Sequence, residues 1–315
     1  MPRSGAAARA RDPAGATGRL QPQRARCTGG GYAEPMSVVR KLAFRGMEME
    51  LEDAGAGERA FVLVHGFTGS RDDFREHVPE LSGIGRTIAL DQRGHGGSSN
   101  SGRAEDYTLD GLVADLAAGF DALGLETADL LGHSLGGMVA LRFALAHPER
   151  VSSLVLMDTS PGPLRMPLSE QARAGIAALA RQSGMSALFE AMRAIASRAP
   201  QPAPSARRTQ ERMGSDVFWD RIRRKLEAMD PVAWDALSRE LGAHRSVADR
   251  LGEIDCPTLV MVGAEDLPFL APSEEMARRI PGATRVTIPD AAHSPQLENP
   301  AAWSASIRAH LERSR

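Results

Sequence analysis

Only two cysteines occur in the 315 residues, Cys27 and Cys256, far apart and in unlike surroundings. A disulfide framework is therefore not expected, nor a cysteine-held metal site. No apolar run approaches the roughly 18 residues that a membrane-crossing helix needs. The N-terminus carries arginines but lacks the apolar stretch of a secretory signal. An excess of one charge sign is also missing. The chain has 38 Lys and Arg against 40 Asp and Glu, a formal net charge of -2, which argues against a nucleic-acid or polyanion binder. These absences predict a cytoplasmic protein with no stable membrane insertion and no nucleic-acid partner. What is present is a hydrophobic content of 42%, enough for a sizeable core in one large domain, or in a core domain with a smaller insertion.

Residues 1–35 are rich in Ala, Gly, Pro and Arg and too poor in large apolar side chains to offset their ordering entropy, so a disordered tail is expected there. An organelle transit segment and an upstream extension before a working start at Met36 both fit that composition. From Val38 the pattern changes. Short apolar runs at Ala60–Val64, Arg86–Asp91, Ala128–Leu131, Val151–Met157, Thr258–Val262 and Arg285–Ile288 read as buried strands. Between them, Leu109, Leu112, Val113, Leu116, Phe120 and Leu123 fall on one helical face. Strands alternating with amphipathic helices predict an α/β fold, a mostly parallel central sheet with helices on both faces.

The alternation stops between residues 159 and 245. Helical patches at Ile176–Leu179 and Leu188–Ile195 and the breaker run Pro200–Pro204 replace strands there. We read this stretch as a helical lid inserted into a core of residues 36–158 and 246–315.

Gly132-His133-Ser134-Leu135-Gly136 sits where a strand should turn sharply into a helix. Glycines tolerate the close backbone approach of such a turn, and the serine Oγ is lifted clear of the sheet. A serine hydroxyl is a poor nucleophile without a base. His293, just after the last strand, is on the same sheet edge and is the candidate base. The orienting acid should also follow a strand. Glu265 and Asp266 end one strand and Asp158 ends another; Asp266 is preferred, with Asp158 and Glu265 as competitors. The backbone N–H groups of Phe67 and Leu135 are candidate oxyanion donors. Asp91, Arg93 and His95, in a glycine-rich loop, lack the lysine and spacing of a phosphate cradle and read as structural supports. No cofactor or metal site is expected, because no His/Cys/Asp/Glu cluster has ligand spacing.

Together, His65-Gly66-Phe67, Asp91-Gln92-Arg93-Gly94-His95-Gly96, the Ser134 pentapeptide, Gly263-Ala264-Glu265-Asp266 and Ala292-His293 resemble the α/β-hydrolase superfamily, from Val38 to the C-terminus. The order Ser, Asp, His matches that superfamily. The resemblance is to its compact, lid-bearing branch of esterases, enol-lactone hydrolases and a menaquinone-pathway lyase. It implies a Ser134-His293-Asp266 triad that cleaves a small carboxylic ester or lactone through an acyl-enzyme. Carbon–carbon bond hydrolysis or lyase chemistry with the same triad is the alternative, ahead of perhydrolysis or a ligand-receptor role. Epoxide hydrolases and haloalkane dehalogenases of the superfamily have aspartate at the nucleophile position, where this chain has Ser134. Alanine at 292 departs from the glycine that many members have before the histidine. The stretch from Arg165 to Lys225 has twelve Arg and Lys against five Asp and Glu. That excess fits either a receiver for a substrate carboxylate or a solvated helix face. Met185, Leu188, Phe189, Met192, Phe218 and Trp219 fit either an acyl pocket or the insertion's own packing. Oligomeric state is not legible.

Overall fold

The computed structural model describes residues 37–164, 169–198 and 204–314; the expected tail at 1–35 and Cys27 lie outside them. Eight strands form one sheet: β1 (Val38–Phe44), β2 (Met47–Ala54), β3 (Ala60–Val64), β4 (Arg86–Leu90), β5 (Ala128–His133), β6 (Val151–Met157), β7 (Thr258–Gly263) and β8 (Thr284–Ile288). Their order is β1-β2-β4-β3-β5-β6-β7-β8. From β4 to β8 every pair is parallel, whereas β1 and β2 run antiparallel at one edge.

The helices are α1 (His77–Ser82), α2 (Leu109–Leu123), α3 (Leu135–Ala146), α4 (Glu170–Arg198, broken at Gly184), α5 (Pro204–Met213), α6 (Ser215–Glu227), α7 (Pro231–Ala243), α8 (Leu267–Arg279), α9 (Pro295–Glu298) and α10 (Pro300–Arg313). No helix among the described residues is long and apolar enough to cross a membrane.

The central strands are buried on both faces, and their side chains divide by parity. Val62, Val64, Leu130, Leu154, Leu156 and Val260 pack with Leu112, Leu116 and Phe120 of α2 and Met138 and Phe143 of α3. Phe61, Leu63, Leu131, Val155, Met157 and Met261 pack on the other face with Val78 and Leu81 of α1 and Trp303, Ile307 and Leu311 of α10. Helix α2 begins under a Thr108 cap, whose side chain accepts from the Gly111 N–H, and ends at Gly124 in the left-handed region. α4–α7 lie between β6 and β7 in the chain, and their buried Ala177, Leu188, Trp234 and Leu237 belong to the α2–α3 cluster.

β1 and β2 were not among the strands expected from apolar runs. β2 alternates Met47, Met49 and Leu51 with Glu48, Glu50 and Glu52, so only every second residue is buried. β1 is an edge strand with mostly exposed side chains. They form a hairpin through Arg45 and Gly46, both with positive φ (48° and 73°), the backbone of a two-residue turn that matches strand twist.

The interior also takes in histidines. Burial pushes the His95 and His133 imidazoles down to about 3, helped by repulsion from His65 and His293 respectively. Burial and the nearby Arg313 take His310 down to about 4. Such groups are neutral in the fold, yet on unfolding they protonate near the ordinary value of 6.5. Their contribution to stability is complete above that value and is lost as pH falls toward the folded value. The unfolding free energy, from urea titrations between pH 6.5 and 5, should therefore drop on acidification, the histidines outweighing the opposite contribution of buried Asp158, whose raised folded value favours the fold as pH falls. Each of the two fully buried imidazoles contributes up to ~1.4 kcal/mol per pH unit below its unfolded value. Stability that stays level or rises over that range contradicts the assignment.

Candidate active site

β5 delivers the serine. Ser134 has φ 52° and ψ -115°, a strained conformation for a residue with a side chain. The fold over-determines it. Its N–H donates to the Met157 carbonyl of β6 at 2.9 Å, and its own carbonyl accepts from Thr159 Oγ1 at 2.7 Å. The flanking glycines are required by contact. A Cβ on Gly132 would run into the Gly136 carbonyl, and one on Gly136 into the Val64 and His65 carbonyls.

The loops after β7 and β8 bring up two more groups. They are joined by Ala264 N–H to Ile288 O at 2.9 Å and Glu265 N–H to Ala291 O at 2.8 Å. His293 Nδ1 donates to Asp266 Oδ2 at 2.7 Å, and His293 Nε2 faces Ser134 Oγ at 3.0 Å. The structure thus brings Ser134, His293 and Asp266 into one hydrogen-bonded line. Ser134 is 6% exposed and the His293 side chain 44%, so solvent reaches the imidazole while the hydroxyl is sheltered. The Phe269 ring stacks on His293 with centroids 4.8 Å apart.

The competing carboxylates go elsewhere. Glu265 accepts the Ser205 N–H at 2.9 Å and pairs with Arg208, both on α5. Asp158 is fully buried and accepts the Gly263 N–H at 2.9 Å. One ligand atom from each of Asp158, Asp266 and His293 lies within 4.8 Å of the others, but Asp266 and His293 direct their facing atoms at each other.

Leu135 is the first residue of α3, where helix N–H groups lack intrahelical partners. The Gly66 Cα position abuts the serine, since a Cβ there would lie 3.0 Å from Ser134 Cβ; Phe67 follows it. That strand end is anchored by His65, whose Nδ1 donates to Gly66 O at 2.8 Å and whose Nε2 accepts the Gln92 N–H at 3.0 Å. Burial holds the His65 imidazole below its ordinary value, which keeps this neutral tautomer. In the same loop Asp91 accepts the Arg71 and Gly97 N–H groups and Arg93 makes a forked pair with Asp115 at 2.6 and 2.7 Å. His95 packs edge-on against His65.

Several of the basic side chains between Arg165 and Lys225 are engaged with the protein's own carboxylates. Arg208 reaches Glu265, Arg221 reaches Glu76 at 2.6 Å, and Lys225 reaches Asp73, all across to core segments. Burial favours the neutral form of Asp73, yet the Lys225 ammonium holds the carboxyl below the usual range. Arg173 and Arg181 pair with Asp235 inside the insertion. Met185, Leu188 and Phe189 are buried, while Met192 is exposed. Phe189 and Trp219 line a groove of about 490 Å³ between α4 and α6 whose walls include none of Ser134, Asp266 or His293. Trp234 of α7 is the insertion's aromatic contact to Phe67, with ring centroids 6.0 Å apart.

Two residues outside the sequence expectation shape the site. His133 Nε2 donates to the His293 carbonyl at 2.6 Å. Glu298 Oε2 accepts the Ala292 and Ser294 N–H groups at 2.7 and 3.1 Å, gathering the backbone on both sides of His293. The sequence signal for Glu298 was a glutamate one turn into a helix opened by Ser294-Pro295. Glu298→Ala should cost about 1–3 kcal/mol in urea unfolding and speed hydrogen exchange at the Ala292 and Ser294 amides. Unchanged exchange at both amides contradicts the assigned contacts.

The chain matches the family described as alpha/beta hydrolase fold over residues 59–300. A Bacillus subtilis (strain 168) protein with the provisional name 2-succinyl-6-hydroxy-2,4-cyclohexadiene-1-carboxylate synthase is 30% identical over 272 residues, 84% of this chain and 95% of that one. A thermophilic esterase from Thermogutta terrifontis superposes with a TM-score of 0.73 at 30% identity, covering 88% of this chain and 99% of the esterase. The enol-lactonase from Burkholderia xenovorans LB400 gives 0.73 at 25% identity, covering 87% and 100%. With an eight-stranded sheet in this order and similarity along most of its length, the chain is an enzyme of the α/β-hydrolase family.

Proposed function

We propose that the protein is a serine hydrolase acting on a small carboxylic ester or lactone. The observation that carries this reading is the line from Asp266 through His293 to Ser134 Oγ, at 2.7 and 3.0 Å, on a strained strand-to-helix turn. In this reading His293 takes the Ser134 proton as Oγ attacks the substrate carbonyl. Asp266 holds the imidazole with Nδ1 protonated and stabilises the imidazolium that forms. The Phe67 and Leu135 N–H groups receive the developing oxyanion; each such donor is typically worth about 3 kcal/mol in the transition state. His293 then protonates the departing alcohol or enol, and water, activated by the same base, releases the acid. The esterase and enol-lactonase named above support this substrate class by similarity. Residues 159–245 act as the lid, resting on the core through the Arg208, Arg221 and Lys225 pairs.

Because those cations already face carboxylates, the basic excess favours a structural clasp over a receiver for a substrate carboxylate. An uncharged ester or lactone fits better than a carboxylated one. A second reading is lyase or carbon–carbon hydrolase chemistry by proton abstraction with the same groups; a relative named as a synthase rather than a hydrolase is compatible with it.

Ser134→Ala should retain the fold and lose hydrolysis of a short p-nitrophenyl ester by about 10⁴-fold or more. A fluorophosphonate should label the wild-type chain on the peptide that contains Ser134. Undiminished hydrolysis by the variant excludes the reading. Among paired esters differing by one distal carboxylate, the neutral member should have the higher kcat/KM, with little dependence on salt. A carboxylate preference that weakens with salt would return the lid cations to substrate binding.

A further inference from the structure

The end of β6 touches both ends of the proposed triad. Met157 O and Thr159 Oγ1 hold the Ser134 backbone, and Asp158, between them, lies against Asp266. The backbone at Asp158 has φ 45°, uncommon for a residue with a side chain, and its N–H donates to Met261 O at 3.0 Å. Its Oδ1 accepts the Gly263 N–H. Its Oδ2 is enclosed and finds no N–H or O–H donor among the described residues. A buried oxygen in that position, beside a second carboxyl group, calls for a proton.

We propose that Asp158 is a positioning residue, a neutral carboxylic acid whose O–H donates to the Asp266 carboxylate and fixes the oxygen that faces His293. The proposal rests on Asp266 being the acid of the triad. Two buried carboxyl groups this close do not both ionise. Asp266 keeps the charge because it meets the His293 Nδ1–H. Asp158 keeps the proton because burial, then the Asp266 charge, and more weakly the Glu298 charge, all push its carboxyl well above the usual range. With Gly263 N–H on one oxygen, the carboxyl plane is set and the proton is directed to the other. Asp158 and Thr159 thus make the end of one strand a brace for acid and nucleophile together.

The O–H also draws charge from Asp266. Without it, Asp266 attracts the His293 imidazolium more strongly and the imidazole becomes harder to deprotonate. Among the described residues the titratable groups facing Asp158 include Asp266, His293 and Glu298, and those facing His293 include Asp158, Asp266 and His133, so the acid limb of the pH profile reads this change.

The test compares Asp158→Ala, which leaves no donor, with Asp158→Asn, which offers an N–H in the same place, on an ester turned over by the full chain. Asp158→Ala should lower kcat about tenfold or more, leave KM little changed, and move the acid limb of kcat/KM to higher pH. Asp158→Asn should restore both rate and midpoint. Asparagine as impaired as alanine, or alanine equal to wild type, overturns the proposal. Should the alanine variant fail to fold, infrared difference spectra at pH 7 between wild type and Asp158→Asn decide. A protonated-carboxyl carbonyl band belongs to the wild type only, and its absence overturns the proposal. That spectrum needs no turnover, so it is independent of the triad reading, which Ser134→Ala tests.

Discussion

The parallel pairing of β5 with β6 is the constraint on which the site depends. It sets Ser134 N–H opposite Met157 O and holds a side chain at φ 52° against its backbone preference. The same register passes through β6 to β7 and β8, so that loops distant in sequence open at one sheet edge. Asp266 and His293 then need only short connections to reach Ser134. Gly132 and Gly136 permit the approach because any Cβ there would meet backbone rather than a yielding side chain.

Around that line of three groups the fold supplies further hydrogen-bonding parts, and the two imidazoles among them are buried. His133 and Glu298 fix the backbone at His293, and His65 fixes the strand end that leads to Phe67. Burial lowers both imidazoles and favours the uncharged form of His133 and His65, and His65 Nε2 accepts the Gln92 N–H. Neutrality matters here, because a cation beside His293 would oppose formation of the imidazolium. The insertion joins the α2–α3 hydrophobic cluster through Ala177, Leu188, Trp234 and Leu237 and is tied to the core by charge as well. The more exposed Arg208–Glu265 pair contributes little, about 0–1 kcal/mol, whereas the Arg221–Glu76 and Lys225–Asp73 pairs, each with a sheltered cation, are costlier to break from one side.

The core was legible where burial left continuous apolar runs, as in β3, β5, β6 and β7. It was not legible in β1 and β2, where solvent and core share each strand. Ser134 and His293 could be named from position in the strand–helix alternation. Choosing Asp266 over Glu265 could not be settled by spacing, since adjacent residues differ only in direction. The partner that takes Glu265, Arg208, is 57 residues away in an insertion with no periodic relation to the core. The insertion's positive excess was visible as a count, but its engagement with core acids depends on tertiary placement. His133 was visible only as the variable position of a motif. The side chains that fitted either an acyl pocket or the insertion's own packing illustrate the same limit, for Phe189 and Trp219 face their own groove while Trp234 meets Phe67.

In the proposed mechanism Ser134 becomes covalently acylated by way of His293. Mass spectrometry of the protein, quenched in acid milliseconds after mixing with a short ester, tests this most directly. The expected result is a transient increase equal to the acyl group, mapped to the peptide containing Ser134 and decaying as the free acid appears. Sustained turnover with no adduct at any time, at a quench faster than one turnover, would contradict it and favour proton abstraction without an acyl-enzyme.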